Sequence, residues 1–167
     1  MVNTKPHARV VAEAVTDPEL PMLTLADLGV LREVSESDDA VTVTITPTYS
    51  GCPAMGTMRD DLRDALCAAG YREVRVLTAL HPAWSTDWIT PAGRRKLAEA
   101  GIAPPGKAPR SVSGPIPLNL ETPAHRVCCP RCGSPDTAEL SRFSATACRA
   151  LRRCRRCREP FEHVKEI

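Results

Sequence analysis

At 167 residues, 43% of them hydrophobic, the chain has room for one domain of ordinary size and a small second one that depends on metal for stability. No apolar run is long enough to cross a bilayer, and the start Met1-Val2-Asn3-Thr4-Lys5-Pro6-His7 lacks the apolar core of a secretory signal, so a cytoplasmic protein without membrane contact is expected. The net charge of +2 is unevenly held: residues 124–167 carry ten Lys or Arg against five Asp or Glu, residues 1–123 twelve against fifteen, and two Phe, two Tyr and two Trp form no stacking platform for single-stranded nucleic acid.

In chain order, Ala8, Val11, Ala12 and Val15 share one helical face before Asp17-Pro18 stops the helix. Asp17 and Glu19 in that turn have a plain reading as a solvated bend with an Asx-type hydrogen bond. Val30 to Val34 and the alternating Val41, Val43, Ile45 then predict two strands of a hairpin around Ser37-Asp38-Asp39. Thr42, Thr44 and Thr46 point to the opposite face, the pattern of a sheet covered by helices on one side only.

Ser50-Gly51-Cys52-Pro53 leads into a helix with Ala54, Met55, Met58, Leu62, Ala65, Leu66 and Ala69 at helical spacing, closed by Gly70. A thiol at Cys52, ahead of a helix N-terminus, sits where the macrodipole favours a thiolate. Such a sulfur can attack, be oxidised or hold a soft metal, with Thr46 and Thr48 at the preceding strand end as hydrogen-bond donors; the competing reading is a small buried hydrophobe. Cys67 lies off the apolar face of the helix and is expected to be incidental.

Val74, Val76 and Thr78 predict a third strand, and Thr90-Pro91 a last helix closing at Gly101. Between them Trp84 and Trp88 suit a lid over a sheet edge, and Arg94-Arg95-Lys96 a solvated helix face. Residues 101–123 hold six prolines and three glycines without a period, which predicts an extended arm, or a strap across the first domain through Ile116, Leu118 and Leu120.

The tail carries the sharpest signal. Cys129-Pro130-Arg131-Cys132-Gly133 and Cys154-Arg155-Arg156-Cys157 are two thiolate pairs at knuckle spacing, separated by 21 residues, long enough for a returning β-hairpin. Four thiolates suit zinc; iron in the same four-sulfur site, two disulfides or a redox pair are the alternatives. Cys128 is excluded on register, because Cys129 with Cys132 puts Gly133 where a knuckle needs no β-carbon, and Cys148 is left unassigned. The expected architecture is α+β: an αββαβ domain with a C-terminal helix over residues 1–100, a Pro-rich linker over 101–123 and a four-cysteine zinc ribbon over 124–167.

Asp17-Pro18-Glu19-Leu20-Pro21, Leu25-Ala26-Asp27-Leu28-Gly29-Val30 and Thr46-Pro47-Thr48-Tyr49-Ser50-Gly51-Cys52-Pro53-Ala54 resemble the family of iron-sulfur cluster assembly factors that includes SufT. With Pro82-Ala83-Trp84-Ser85-Thr86-Asp87-Trp88-Ile89-Thr90, Gly101-Ile102-Ala103-Pro104-Pro105 and the four-cysteine tail, the whole chain resembles the PaaD (PaaJ) family, accessory components of phenylacetyl-CoA epoxidase systems.

The resemblance implies that the reactive cysteine is Cys52 and the helix-end acid Asp17. It places the chain in phenylacetate catabolism, beside a diiron oxygenase and a reductase with flavin and an iron-sulfur cluster. The sequence itself has neither a carboxylate-and-His helix motif nor a Gly-rich dinucleotide fingerprint, so the expected role is accessory and not that of the oxygenase or reductase. That role is maturation of iron or iron-sulfur centres in the oxygenase or reductase, with Cys52, Asp17, Thr46 and Thr48 handling a transient iron or cluster and zinc on Cys129, Cys132, Cys154 and Cys157. The alternatives are a non-catalytic interaction subunit, for which self-association stays open, and a nucleic-acid-binding ribbon using Arg149, Arg152, Arg153, Arg155, Arg156 and Arg158.

Overall fold

A computed structural model describes residues 6–49, 51–108 and 126–167. Ile116, Leu118 and Leu120, and with them the strap reading, lie outside the described residues. The chain divides into two compact units, Met1–Lys96 and Leu97–Ile167.

In the first unit α1 (Ala8–Glu13) precedes β1 (Leu31–Ser37), β2 (Ala40–Ile45), α2 (Met55–Ala68) and β3 (Glu73–Thr78). The sheet order is β1-β2-β3, with β1 antiparallel to β2 and β2 parallel to β3 through the α2 crossover. Asp38 makes the β1–β2 turn at φ +50°, a left-handed conformation that Asp tolerates better than most residues. Val41, Val43 and Ile45 are all buried to within 1% of full enclosure, and they form one apolar layer with α2 residues Met58, Leu62 and Leu66. Each such side chain contributes about 1.5–3 kcal/mol of burial.

Thr42 and Thr44 stay half-buried as the alternation predicts, but Thr46 is 2% exposed. The strand ends at Ile45, so the period-two rule no longer governs Thr46, whose N–H donates to Val30 O at 2.9 Å. α1 is tied down by Ala8 N–H, which donates to Glu36 Oε2 at 3.0 Å, and by Tyr71, whose hydroxyl lies between Pro6 O and the Glu36 carboxylate. Burial first, then the Glu36 carboxylate, push the Tyr71 phenol up to about 12.

Downstream of β3, a 3-10 turn (Thr86–Trp88) leads to α3 (Pro91–Glu99). The two tryptophans grip the loop Thr24–Gly29. Trp84 is 5% exposed and its Nε1 donates to Leu28 O at 2.9 Å, while Trp88 lies so close to Gly29 that an added Cβ would stand 2.6 Å from Trp88 Cβ. Arg32 stacks on the Trp88 ring at 3.6 Å.

Lys96 and Arg94 are not free surface charges as the sequence run suggested. Lys96 Nζ reaches Asp27 Oδ2 at 2.6 Å and Arg94 Nη2 donates to Thr86 O at 2.7 Å. Burial pushes the Asp27 carboxyl up, but the Lys96 ammonium and the Thr24 N–H outweigh it and hold it below its ordinary value.

The second unit is a three-stranded antiparallel sheet, β4 (Thr137–Ser141), β5 (Arg149–Cys154) and β6 (Pro160–Val164), in that order. A third strand thus joins the expected hairpin, because Phe161, His163 and Val164 are buried around half-buried Glu162 and the segment pairs along β5. The other edge of β6 is covered by residue 103: Ala103 N–H donates to Glu162 O at 2.8 Å and Val164 N–H to Ala103 O at 3.1 Å. Gly106 N–H adds a bond to Glu166 Oε1 at 2.9 Å. The core of this unit joins Ala103, Val127, Cys129, Cys154 and Phe161.

Candidate metal centre

Each knuckle is a tight turn closed by its own backbone. Cys129 N–H donates to Ser134 O at 2.9 Å, and at the equivalent place in the second knuckle Cys154 N–H donates to Glu159 O at 3.0 Å. Gly133 follows the first cysteine pair at φ +70°. Arg158 follows the second at φ +63°, so the two turns share one backbone path although only one uses glycine. The clue was in the sequence as Cys-x-x-Cys-Gly against Cys-x-x-Cys-Arg, once the knuckles are superposed.

The paired turns bring together Cys129, Cys132, Cys154 and Cys157, whose sulfurs all lie within 4.8 Å of one another. The nearest pairs run between knuckles: Cys129 to Cys157 at 3.7 Å and Cys132 to Cys154 at 3.6 Å. Sulfurs at about 2.3 Å from a tetrahedral zinc stand about 3.8 Å apart, so the donor set fits such an ion without rearrangement.

Cys129 and Cys154 are 2% and 0% exposed, Cys132 and Cys157 are at the surface, and all eight cysteines are thiols. The Cys157 N–H donates to Cys154 Sγ at 3.4 Å and, ahead of the neighbouring thiols, pulls Cys154 down to about 6. The Glu159 N–H pulls Cys157 down, but desolvation and the neighbouring sulfurs outweigh it and push its thiol up to about 12. One negative charge is therefore favoured at the most enclosed sulfur, and a bound cation extends that preference to all four.

The remaining cysteines of the tail stand apart from the cluster. Cys128 is exposed, and half-buried Cys148 contacts Thr146 Oγ1 at 3.1 Å. Of the six arginines considered for phosphate contact, Arg149 is buried, with Nη1 on Glu162 Oε2 at 2.6 Å, and Arg152 bonds Thr137 Oγ1 and faces Glu139. Glu162 also accepts from the Ser144 hydroxyl.

In the first unit, Cys52 is half-buried between β2 and α2. Its N–H donates to Tyr49 O at 3.2 Å and its carbonyl accepts from Met55 N at 3.4 Å. The helix begins at Met55 with Ala54 as its cap, two residues later than Pro53 suggests, so the thiol belongs to the turn ahead of the helix. Thr46 and Thr48 precede it in the same β2–α2 connection, one buried and one half-buried. Asp17 is 5% exposed, and its Oδ1 accepts from Glu19 N–H at 2.9 Å and Leu20 N–H at 2.7 Å, the Asx turn that the sequence suggests.

Residues 114–165 match a family described as PaaD zinc beta ribbon domain, and residues 10–77 one described as iron-sulfur cluster assembly protein. A protein of Escherichia coli K12, named as the fourth (D) component of a 1,2-phenylacetyl-CoA epoxidase, is 44% identical over 151 residues, 90% of this chain and 86% of that protein. The chain belongs to the PaaD family. The Fe-S protein maturation auxiliary factor YitW of Bacillus subtilis 168 is 35% identical over 77 residues, 46% of this chain and 72% of that protein.

A crystal structure of a domain of unknown function, DUF59, from Bacillus anthracis superposes with a TM-score of 0.50 at 27% identity, covering 54% of this chain and 87% of that one. As a PaaD family member the chain thus unites an iron-sulfur-assembly-type region and a four-cysteine, metal-binding zinc ribbon in one polypeptide. Among the described residues no helix is long and apolar enough to cross a membrane.

Proposed function

We infer that this PaaD family chain is a cytoplasmic accessory component of a phenylacetyl-CoA epoxidase that helps load iron or an iron-sulfur cluster into the oxygenase or reductase. The observation that carries this reading is the joining of an assembly-type domain, with half-buried Cys52 in the turn ahead of α2, to a ribbon whose four sulfurs form a closed set. Cys52 is the iron-handling or cluster-handling thiol, supported by Thr46 and Thr48 from the same connection. Asp17 shapes the turn Asp17–Leu20, and its second role toward iron belongs to this proposal.

Zinc on Cys129, Cys132, Cys154 and Cys157 is structural: four protein sulfurs leave no open position for a water or substrate. When bound, the ion holds the two knuckles together and performs no reaction. Its protein ligands are cross-braced by Arg131 on Glu159 at 2.7 Å and Arg155 on Asp136 at 3.6 Å, exposed pairs that orient the turns more than they stabilise them.

The test is iron and acid-labile sulfide content of the oxygenase and reductase, purified anaerobically after co-expression with this chain, without it, or with Cys52→Ser. Deficiency without the chain, restored by the wild type and not by the variant, is the expected result. Full loading in every arm would instead make it an interaction component whose Cys52 is packing.

A further inference from the structure

The ribbon's two edges are unlike. β6 is covered by residue 103, whereas β4 pairs, among the described residues, with β5 alone. Beside β4 runs an open groove of about 350 Å³, lined by Ala138, Leu140, Arg153, Cys154, Arg155 and Arg158. Its apolar floor is accessible, with Leu140 55% exposed, and Arg153 and Arg155 are at the surface beside half-buried Arg158.

Arg158 is the telling member. It holds a left-handed conformation that its sister turn gives to Gly133, and an added Cβ at Gly133 would meet nothing within 4 Å. The shared turn therefore does not require a side chain, and an arginine kept in a costly conformation marks a position where the side chain itself is used.

The geometry points to this groove as a docking site for an extended acidic segment of a partner protein, its backbone adding to the free edge of β4, an apolar residue on Leu140 and its carboxylates on Arg153, Arg155 and Arg158. The free edge supplies main-chain hydrogen bonds and the alternation of the added strand supplies side-chain selection. Arg155 faces Asp136 at 3.6 Å with both groups about two-thirds exposed, an ion pair weak enough for an incoming carboxylate to replace.

A peptide fits better than a nucleic acid. Arg149 and Arg152 are already engaged with Glu162 and Thr137, both tryptophans belong to the other unit, and an exposed leucine has no counterpart in a phosphate backbone. The partner's identity as an epoxidase component rests on the function proposed above; the groove's preference for acidic strands does not.

The experiment uses the full zinc-loaded chain and fluorescence anisotropy with three probes: a labelled alternating peptide Glu-Leu-Glu-Val-Glu-Leu, its Lys-for-Glu counterpart, and a DNA dodecamer. The acidic peptide is expected to bind, to weaken with salt, and to lose tenfold or more in affinity with Arg153→Glu or Leu140→Ser while zinc content stays unchanged. Arg158→Gly separates fold from function: it should resist chelator longer than the wild type and yet bind several-fold more weakly.

Tighter binding of the dodecamer, equal binding of the basic peptide, or no acidic-peptide binding would overturn the proposal. Because no iron readout enters, a negative result with Cys52→Ser in the loading assay leaves this outcome independent.

Discussion

Replacing Gly29 by alanine tests whether the tryptophan segment truly clamps the loop Thr24–Gly29. Two costs coincide there. At φ +71° an L side chain pays about 1–2 kcal/mol for the left-handed conformation. The new Cβ would also stand 2.6 Å from Trp88 Cβ and 2.7 Å from Trp88 O, neither of which is the far end of a flexible chain. Overpacking of that kind adds about 1–3 kcal/mol, for a loss on the order of 4 kcal/mol.

Two other glycines of the same unit isolate the parts. In α2, Gly56 has open space, so Gly56→Ala should gain up to about 1 kcal/mol from helix propensity. Gly93, at the start of α3, would put a Cβ 2.8 Å from Asp27 O, so the helix gain and the clash oppose each other and Gly93→Ala falls between the others. The assay is urea unfolding followed by tryptophan fluorescence, since Trp84 and Trp88 both report this unit. If Gly29→Ala unfolded within about 1 kcal/mol of the wild type, the loop would be able to move away from Trp88 and the clamp would be refuted.

Cys154→Ser, or chelation of the wild type, should unfold the ribbon while leaving the tryptophan-reported transition of the first unit unchanged, because the small second unit depends on its metal. Limited proteolysis with metal analysis checks this, and a protease-resistant tail after chelation would contradict it. Asp27→Asn should cost on the order of 1 kcal/mol near neutral pH, the half-exposed Lys96 being screened by solvent. The folded carboxyl lies below its ordinary 3.8, so this stabilisation is full above that value and is lost as pH falls through the folded one. The gap between variant and wild type should therefore close on acidification below about pH 4, and a gap that widened would reverse the assignment.

What the sequence disclosed followed from periodicity and spacing. Val41, Val43 and Ile45 announced a one-sided sheet, Met58, Leu62 and Leu66 the helix that covers it, and the two Cys-x-x-Cys pairs the cluster. What it hid depends on contacts between distant residues. Lys96 looks like one more solvated cation until Asp27, 69 positions earlier, is placed beside it, and β6 has too few residues on either side of Pro160 to stand out from the knuckle before it. Arg158 was hidden because a left-handed arginine breaks the rule that would have located the turn.

The crossed arrangement of the sulfurs also decides what an oxidant would leave behind. With the metal gone, the nearest partners are Cys129 with Cys157 and Cys132 with Cys154, one from each knuckle, whereas a disulfide needs its sulfurs at about 2.05 Å. Either bond would form by a short inward movement and would span 28 or 22 residues, stapling the two turns to each other instead of closing each upon itself. Oxidative damage to this tail would thus conserve its loop pairing while sealing off the ligands, and a thiol reductant would return the same four sulfurs to the same places.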